Sequence, residues 1–405
     1  MTVFLVLMYV LVVPYIGLML MVVVGMFRVS KNPVNPDTPS VSVIIPAHNE
    51  EDKLHSTLES LSTQVYAGEL EFVIVNDRSV DATASIIDIF VARDPRFKRI
   101  DVQEPSKRLA PKVNAVNHGI NNSSGEIILT SDADCRYTSN WVAGMVRHFE
   151  PDVAMVVGYV ESTQAGEPST WIERFESVDW LTLMLTSRSL THFGWKFASS
   201  ANNQGYRREA FEAVGGFGAM GRAPSGDEDL LTQRMGRLQD KRIVFASTSD
   251  TRVYTQPMSS VGALLNQRRR WVSRYQHLIH YHPAFLLSIF TLGFQSVFLS
   301  FGILLSPFFP ALAPWVFGLW AVKLVVEIGG MALGTAQLER RDLYGMTTIT
   351  WALLHPIFIG TIVLWAMLRS GEWHAGARSY RRRFFKRQVR ELRRKVLSAI
   401  VVKWH

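Results

Sequence analysis

Cysteine is all but missing from this chain: Cys135 is the only one in 405 residues. An internal disulfide and a thiolate metal cluster are both excluded. Neither a glycine-rich dinucleotide fingerprint nor a P-loop follows any of the first four strand-like apolar runs, so two common phosphate-binding turns are absent there. Internal repeats and low-complexity segments are lacking as well. Net positive charge, too, is missing over most of the length. The formal net charge is +8, yet residues 378–395 hold ten Lys or Arg against one acid, Glu391, and the rest of the chain comes to −1. Basicity this local excludes a nucleic-acid-binding surface spread over a domain.

What is abundant is apolar residues, 48% of the chain, with a mean hydropathy of +0.10. Residues 3–26 carry no charge and are long enough to cross a bilayer. They lack the basic start of a signal peptide and exceed its length, so they read as an anchor. Three further candidate spans lie near 285–305, 312–333 and 346–368. The expected division is an anchor over 1–27, a proline-rich linker over 28–40 and a soluble domain over 41–280. Membrane helices over 281–370 and a basic tail over 371–405 follow. In the tail Phe385, Val389, Leu392, Val396 and Ile400 recur at helical spacing, which suits an amphipathic helix on an anionic lipid surface. Arg28 and Lys31 place the linker in the cytoplasm by the positive-inside rule. A cytoplasmic tail then requires an even number of later crossings against three candidates, and the His355-Pro356 step marks the last one for scrutiny.

Between linker and membrane block, strand and helix alternate. Val41–Ile45, Glu71–Val75, Phe97–Val102 and Glu126–Ser131 read as strands. Helices are expected over Glu50–Gln64, Asp81–Arg93 and Pro111–Ile120. This is an α/β pattern giving a doubly wound, mostly parallel sheet, whose ligands bind beyond the carboxyl ends of the strands. Further on come a strand over Val153–Val160, an amphipathic helix through Trp171 and Leu185, a Gly-rich loop over 214–226, and a strand over Arg242–Ala246.

The chemistry-bearing residues sit at those strand ends. Asp132 and Asp134 stand one residue apart at a strand end, where alternation lets both carboxylates lean toward one point. Paired carboxylates with free positions between them suit Mg²⁺ or Mn²⁺ shared with substrate phosphates. Asp77 and Glu50 can accept hydrogen bonds from a nucleobase, although Asp77 also fits a helix N-cap. Lys112 can reach a diphosphate. Asp227, Glu228 and Asp229 form an acidic run: one could serve as a general base, and all three also suit a helix start. Gln267, Arg270 and Trp271 fall on nearly one helical face before the membrane block, where an arginine fork matches phosphate oxygens.

In this order and spacing, Asp77, Asp132-Ala-Asp134, Asp227–Asp229 and Gln267-x-x-Arg270-Trp271 resemble the membrane-bound family-2 inverting glycosyltransferases, over roughly residues 40–275. The resemblance implies a GT-A fold and transfer of a sugar from a nucleoside-diphosphate sugar, with a UDP-sugar as the expected donor. Glu50, Asp77 and Asp132 would contact the donor, Asp134 with Asp132 the metal, and Gln267 and Arg270 the diphosphate. Trp271 would line the acceptor site. The base is Glu228 in one alignment of the acidic run and Asp229 in the other. Few spans and a short chain favour a hydroxyl of a membrane lipid as acceptor, giving a β-glycoside; a processive synthase of a short β-linked polysaccharide is the alternative. A multi-pass protein of a bacterial inner membrane with a cytoplasmic catalytic domain is expected.

Overall fold

A computed structural model describes residues 2–28, 35–106, 108–163, 170–195, 200–218, 227–272 and 283–368. The uncharged helix α1 (Thr2–Met26) runs unbroken past Pro14. The sheet then builds in the expected rhythm: β1 (Val41–Ala47), α2 (Leu54–Ser62), β2 (Leu70–Asn76), α3 (Thr83–Arg93), β3 (Phe97–Asp101), α4 (Pro111–Asn121) and β4 (Ile127–Thr130). These strands pair in parallel in the order β3-β2-β1-β4. β1 is buried on both faces, as parallel strands flanked by helices are. Ile44 enters one core with Val73, Val75 and Val116. Val43 and Ile45, pointing the other way, enter a second core with Leu58, Phe72 and Phe90. Each such side chain contributes about 1.5–3 kcal/mol on burial, so the register of β1 is strongly fixed.

Beyond β4 come β5 (Cys135–Tyr137), α5 (Trp141–Val146), β6 (Val153–Gly158), β7 (Val160–Ser162), α6 (Trp171–His192), β8 (Gln204–Arg207), α7 (Arg208–Ala213), α8 (Asp227–Met235), β9 (Arg242–Ala246) and β10 (Val253–Thr255). The large sheet has seven strands, β3-β2-β1-β4-β8-β6-β9, and β8 runs antiparallel to both its neighbours. A small sheet holds β5-β10-β7. The single strand expected over Val153–Val160 is thus two strands that divide at Tyr159 and serve different sheets. Asn203 fixes that division. Its amide donates to the carbonyls of Tyr159 (2.9 Å) and Thr251 (2.8 Å) and accepts from the Trp141 indole (3.0 Å). A Cβ on Gly158 would lie 2.2 Å from the Asn203 amide nitrogen, so only glycine fits there. The helix expected from Glu50 starts only at Leu54, which leaves Glu50 in the loop after β1.

Helix α9 (Val261–Val272) precedes α10 (Pro283–Leu305), α11 (Ala313–Gln337) and α12 (Met346–Leu368). Together with α1, the last three make four helices long and apolar enough to cross a membrane. α12 runs through Pro356 without a break, so the described helices give three C-terminal candidates and not the even number the basic tail asks for. That tail lies outside the described residues. The described residues up to Leu364 form one compact unit.

In the middle of α11, Lys323 meets Glu327 at 2.6 Å with both side chains buried. Tyr15 of α1 donates its hydroxyl to Glu327, and His355 of α12 approaches the same carboxylate at 3.6 Å. Charges buried among apolar helices persist only when partnered in this way. α6 lies against α1 and α11. Thr182 contacts Met331 at 3.4 Å, and a Cβ on Gly334 would meet Leu185 at 2.2 Å.

Candidate active site

The loops after β1, β2 and β4 define one crevice. Those after β1 and β2 are laced together: Asp77 N–H donates to the Ala47 carbonyl (2.8 Å), Val80 N–H to the Asn49 side chain (2.9 Å) and Asn49 N–H to the Ser79 hydroxyl (3.1 Å). Asn49 (φ 54°) and Arg78 (φ 59°) both take left-handed backbone, common for Asn and uncommon for Arg. That turn brings the Arg78 Nε within 2.8 Å of Asp77, whose carboxylate is buried.

Asp132 and Asp134 lie beyond β4, not on it, so strand alternation does not set their direction. A turn does. Cys135 N–H donates to the Asp132 carbonyl (3.3 Å), Thr57 of α2 donates to the Ala133 carbonyl (2.8 Å), and the Ser131 hydroxyl bonds the Asn202 carbonyl. Lys112, at the start of α4, places its ammonium 2.5 Å from Asp132. Lys53 lies 3.8 Å from both Glu50 and Asp134. Burial raises the Glu50 carboxyl; Lys53 opposes this, and Asp134 and Asp132 add to it. Asp134 is likewise raised by burial and then by Asp132, against Lys53 and Lys112. The crevice therefore joins Glu50, Asp132, Asp134, Lys53 and Lys112 electrostatically. Cys135, behind them, has its thiol pushed far up by burial and the neighbouring aspartates; it is no nucleophile.

Gln267, Arg270 and Trp271 stand on α9, where Arg270 is exposed. The buried arginine of this run is Arg268. It pairs with Asp179 of α6 at 2.8 Å and bonds Gln267. Its guanidinium lies 4.1 Å from the Trp271 ring centroid and 5.5 Å from that of Trp180. The two indoles meet edge to face at 5.3 Å. Asp227, Glu228 and Asp229 open α8. Asp229 is buried; the side chains of Asp227 and Glu228 lie outside the described residues.

Sequence reasoning missed Lys53, Arg268 and Asp179. Lys53 is hidden in an acid-rich run, Glu50-Glu51-Asp52. Arg268 had one available signal: it lies four residues after Leu264, and these two are the buried residues of α9.

A Glycosyl transferase family 2 model matches residues 42–215. The N-acetylglucosaminyltransferase of Bradyrhizobium elkanii is 31% identical over 140 residues, 34% of this chain and 73% of that protein. The N-acetylglucosaminyltransferase of Rhizobium meliloti (strain 1021) is 28% identical over 180 residues, 44% of this chain and 41% of that one. Bacillus subtilis (strain 168) has the probable glycosyltransferase YdaM, 26% identical over 247 residues, 60% of this chain and 57% of that one. The chain thus spans less than two thirds of the latter two. Among solved structures, the mannosyltransferase PcManGT from Pyrobaculum calidifontis, in complex with GDP-Man and Mn²⁺, matches with a TM-score of 0.56 at 17% identity, covering 89% of this chain and 99% of that one. The seven-stranded, mostly parallel sheet is of the GT-A type. The chain belongs to glycosyl transferase family 2.

Proposed function

We propose that this protein is an inverting glycosyltransferase that moves a sugar from a nucleoside-diphosphate sugar, a UDP-sugar by expectation, to a hydroxyl of a membrane lipid, forming a β-glycoside. The observation that carries the reading is the crowding of Glu50, Asp132 and Asp134 with Lys53 and Lys112 at the carboxyl ends of parallel strands. A mixed cluster of this kind matches a diphosphate and its counter-ion.

The residues fit a divalent cation. Even with two lysines nearby, burial and mutual repulsion raise both Glu50 and Asp134, so the crevice is short of positive charge. Its donors are carboxylate oxygens, the set that Mg²⁺ and Mn²⁺ prefer. Among the described residues no group of three or more His, Cys, Asp or Glu is placed to hold a metal ion by itself. Asp134, with Asp132, would hold it. When bound, it would act as a Lewis acid on the departing diphosphate.

The chain's own groups do the rest. Asp77, held by Arg78, accepts hydrogen bonds from the base, and Glu50 does likewise. Lys112 transfers its contact from Asp132 to a phosphate oxygen, and Gln267 and Arg270 hold the diphosphate from the side of α9. Glu228, or Asp229 next to it, removes the proton of the acceptor hydroxyl during attack. A single displacement inverts the anomeric centre. Trp271, steadied by Arg268 and Trp180, lines the acceptor side. A lipid acceptor is supported by the way α6 joins the two regions: Asp179 on it binds Arg268 of α9 (2.8 Å), and the Trp351 indole of α12 approaches the same carboxylate at 3.4 Å. The processive alternative needs a polar path through the helices. Lys323 and Glu327, the charged pair within them, are tied to each other and to Tyr15, which favours single transfer. We place the catalytic domain in the cytoplasm and the helices in a bacterial inner membrane.

The deciding experiment is a glycolipid mass profile of cells with and without the gene. Loss of one lipid differing by a single hexose or aminohexose supports the reading. Loss of an extracellular polymer with unchanged lipids replaces it with the processive alternative.

A further inference from the structure

The C-terminal ends of α1, α6 and α11 meet at one place. Gly25 of α1 approaches Ser189 of α6 so closely that a Cβ there would lie 2.6 Å from the Ser189 Cβ. Gln337, the last residue of α11, donates to the Met26 carbonyl (3.0 Å) and accepts from the Arg188 guanidinium (3.1 Å). Just past α1, Arg28 stacks 4.4 Å over the ring of Phe193, the neighbour of His192. Three basic groups, one just past α1 and two on α6, thus converge: Arg28, Arg188 and His192.

Nothing described there balances them. Neither arginine has a carboxylate partner among the described residues, and for Arg188 burial is the sole influence on its ionisation, lowering its pKa. The His192 Nε2 is buried with no hydrogen-bond partner among those residues. Burial, then Arg188 and Arg28, push its pKa down. The Gln337 side-chain carbonyl orients the Arg188 guanidinium, and the nearby helix-end carbonyls bring only partial negative charge. A half-buried cation and an unmet polar nitrogen are unfavourable unless a partner arrives.

Depth identifies the partner. α1 and α11 are helices of membrane length, and this cluster lies at their ends, on the side of the catalytic sheet. That is the level of lipid phosphates, and basic pockets between membrane helices bind anionic head groups. We infer that Arg28, Arg188 and His192 form a binding site for the phosphate of an anionic phospholipid in the leaflet facing the catalytic domain. Arg188 and Arg28 supply the charged donors and His192 a neutral N–H. The site is separate from the proposed donor crevice and independent of the acceptor's identity. A lipid bound there would hold α6 at a fixed depth, and with it Asp179 and the α9 residues.

The test uses the full chain, tail included, in mild detergent. Native mass spectrometry and thermal unfolding are followed on titration with phosphatidylglycerol, phosphatidylcholine and inorganic phosphate. The wild-type protein should retain phosphatidylglycerol over phosphatidylcholine and melt at higher temperature with it. Arg28→Gln and Arg188→Gln should each weaken that binding about fivefold, and Arg28→Lys and Arg188→Lys should keep most of it. Since every variant carries the same basic tail, these differences report on this site. Arg28 is exposed, so Arg28→Gln alone decides the matter where Arg188→Gln does not fold. Wild-type affinity for phosphatidylglycerol in a folded Arg28→Gln protein would overturn the proposal. So would an equal thermal shift from inorganic phosphate, which would mark a site for a soluble anion.

Discussion

The guanidinium of Arg268 and the carboxylate of Asp179 form a buried ion pair, 2.8 Å apart, between α9 and α6. Asp179 also faces the Trp351 indole of α12 at 3.4 Å. Glu176, one turn earlier on α6, accepts from the Met258 N–H ahead of α9 (2.6 Å) and from the Trp180 indole (3.3 Å). Leu264 and Arg268 are the buried side chains of α9, so the direction in which Gln267, Arg270 and Trp271 point depends on this pair.

Breaking the pair leaves a buried charge without its partner. We predict that Arg268→Ala or Asp179→Ala destabilises the protein by about 3–5 kcal/mol, seen as a fall in unfolding temperature. Arg268→Lys should not restore sugar transfer, because an ammonium cannot match the planar contact with Trp271. Full activity in the lysine variant would show that charge alone suffices.

Asp134 is the carboxylate for which a cation would matter most. Asp134→Ala should lower divalent-dependent transfer at least about a hundredfold, since a metal's stabilisation of developing charge is worth several kcal/mol. Relief of repulsion should leave the melting temperature unchanged or higher. Chelator treatment of the wild-type enzyme should mimic the variant. A variant that transfers sugar normally would remove Asp134 from the proposed metal site.

The parallel half of the sheet was legible because β1, β2 and β4 are buried on both faces and read as continuous apolar runs. β8 was not. Gln204-Gly-Tyr-Arg207 is short and polar, and it holds the sheet centre through its neighbours. Gly205 leaves room for Leu129, whose Cδ2 would lie 2.4 Å from a Cβ there, and Arg207 donates to the carbonyls of Val153 (3.1 Å) and Phe149 (2.9 Å). The candidate site was legible as residue types at strand ends. Its geometry was not, because turns and lysines from other segments set it. Asp132 and Asp134 are aimed by Thr57 and the Cys135 N–H, and Lys53 comes from a run that looks merely acidic. In the triple arginine 268–270 all three look alike; burial distinguishes Arg268 only once α6 is in place.

Glu71 gives a pH prediction far from the crevice. Burial alone would raise its carboxyl, but bonds from Lys98 (2.6 Å), the Ser124 N–H (2.6 Å) and Ser42 (2.6 Å) hold it down at about 2. A depressed folded-state pKa adds stability above the ordinary carboxylate pKa of about 4.3, and that stability is lost as pH falls through about 2. The difference corresponds to about 3 kcal/mol. Glu71→Gln should therefore lower stability at pH 7 by about that amount, and the gap to wild type should close as the pH drops from about 4.5 toward 2. Melting curves of both proteins across that range check it; a gap independent of pH would assign the loss to packing.

The acidic run that opens α8 offers two candidate bases, and burial separates what their removal should do. Asp229 is 5% exposed, next to the buried Leu230 and Leu231. Asp229→Asn should lower the melting temperature, because a buried carboxylate is bound to its surroundings and the amide must replace those bonds. Glu228→Gln, if Glu228 takes the acceptor proton, should lower kcat about 10²–10⁴-fold and leave the donor KM unchanged, since donor binding does not use that proton. The measurement is steady-state transfer by both variants in a lipid bilayer, with nucleoside-diphosphate release followed alongside. Should Asp229→Asn instead abolish turnover at unchanged donor KM while Glu228→Gln turns over normally, the base is Asp229, and the acceptor hydroxyl must approach from the inner side of α8.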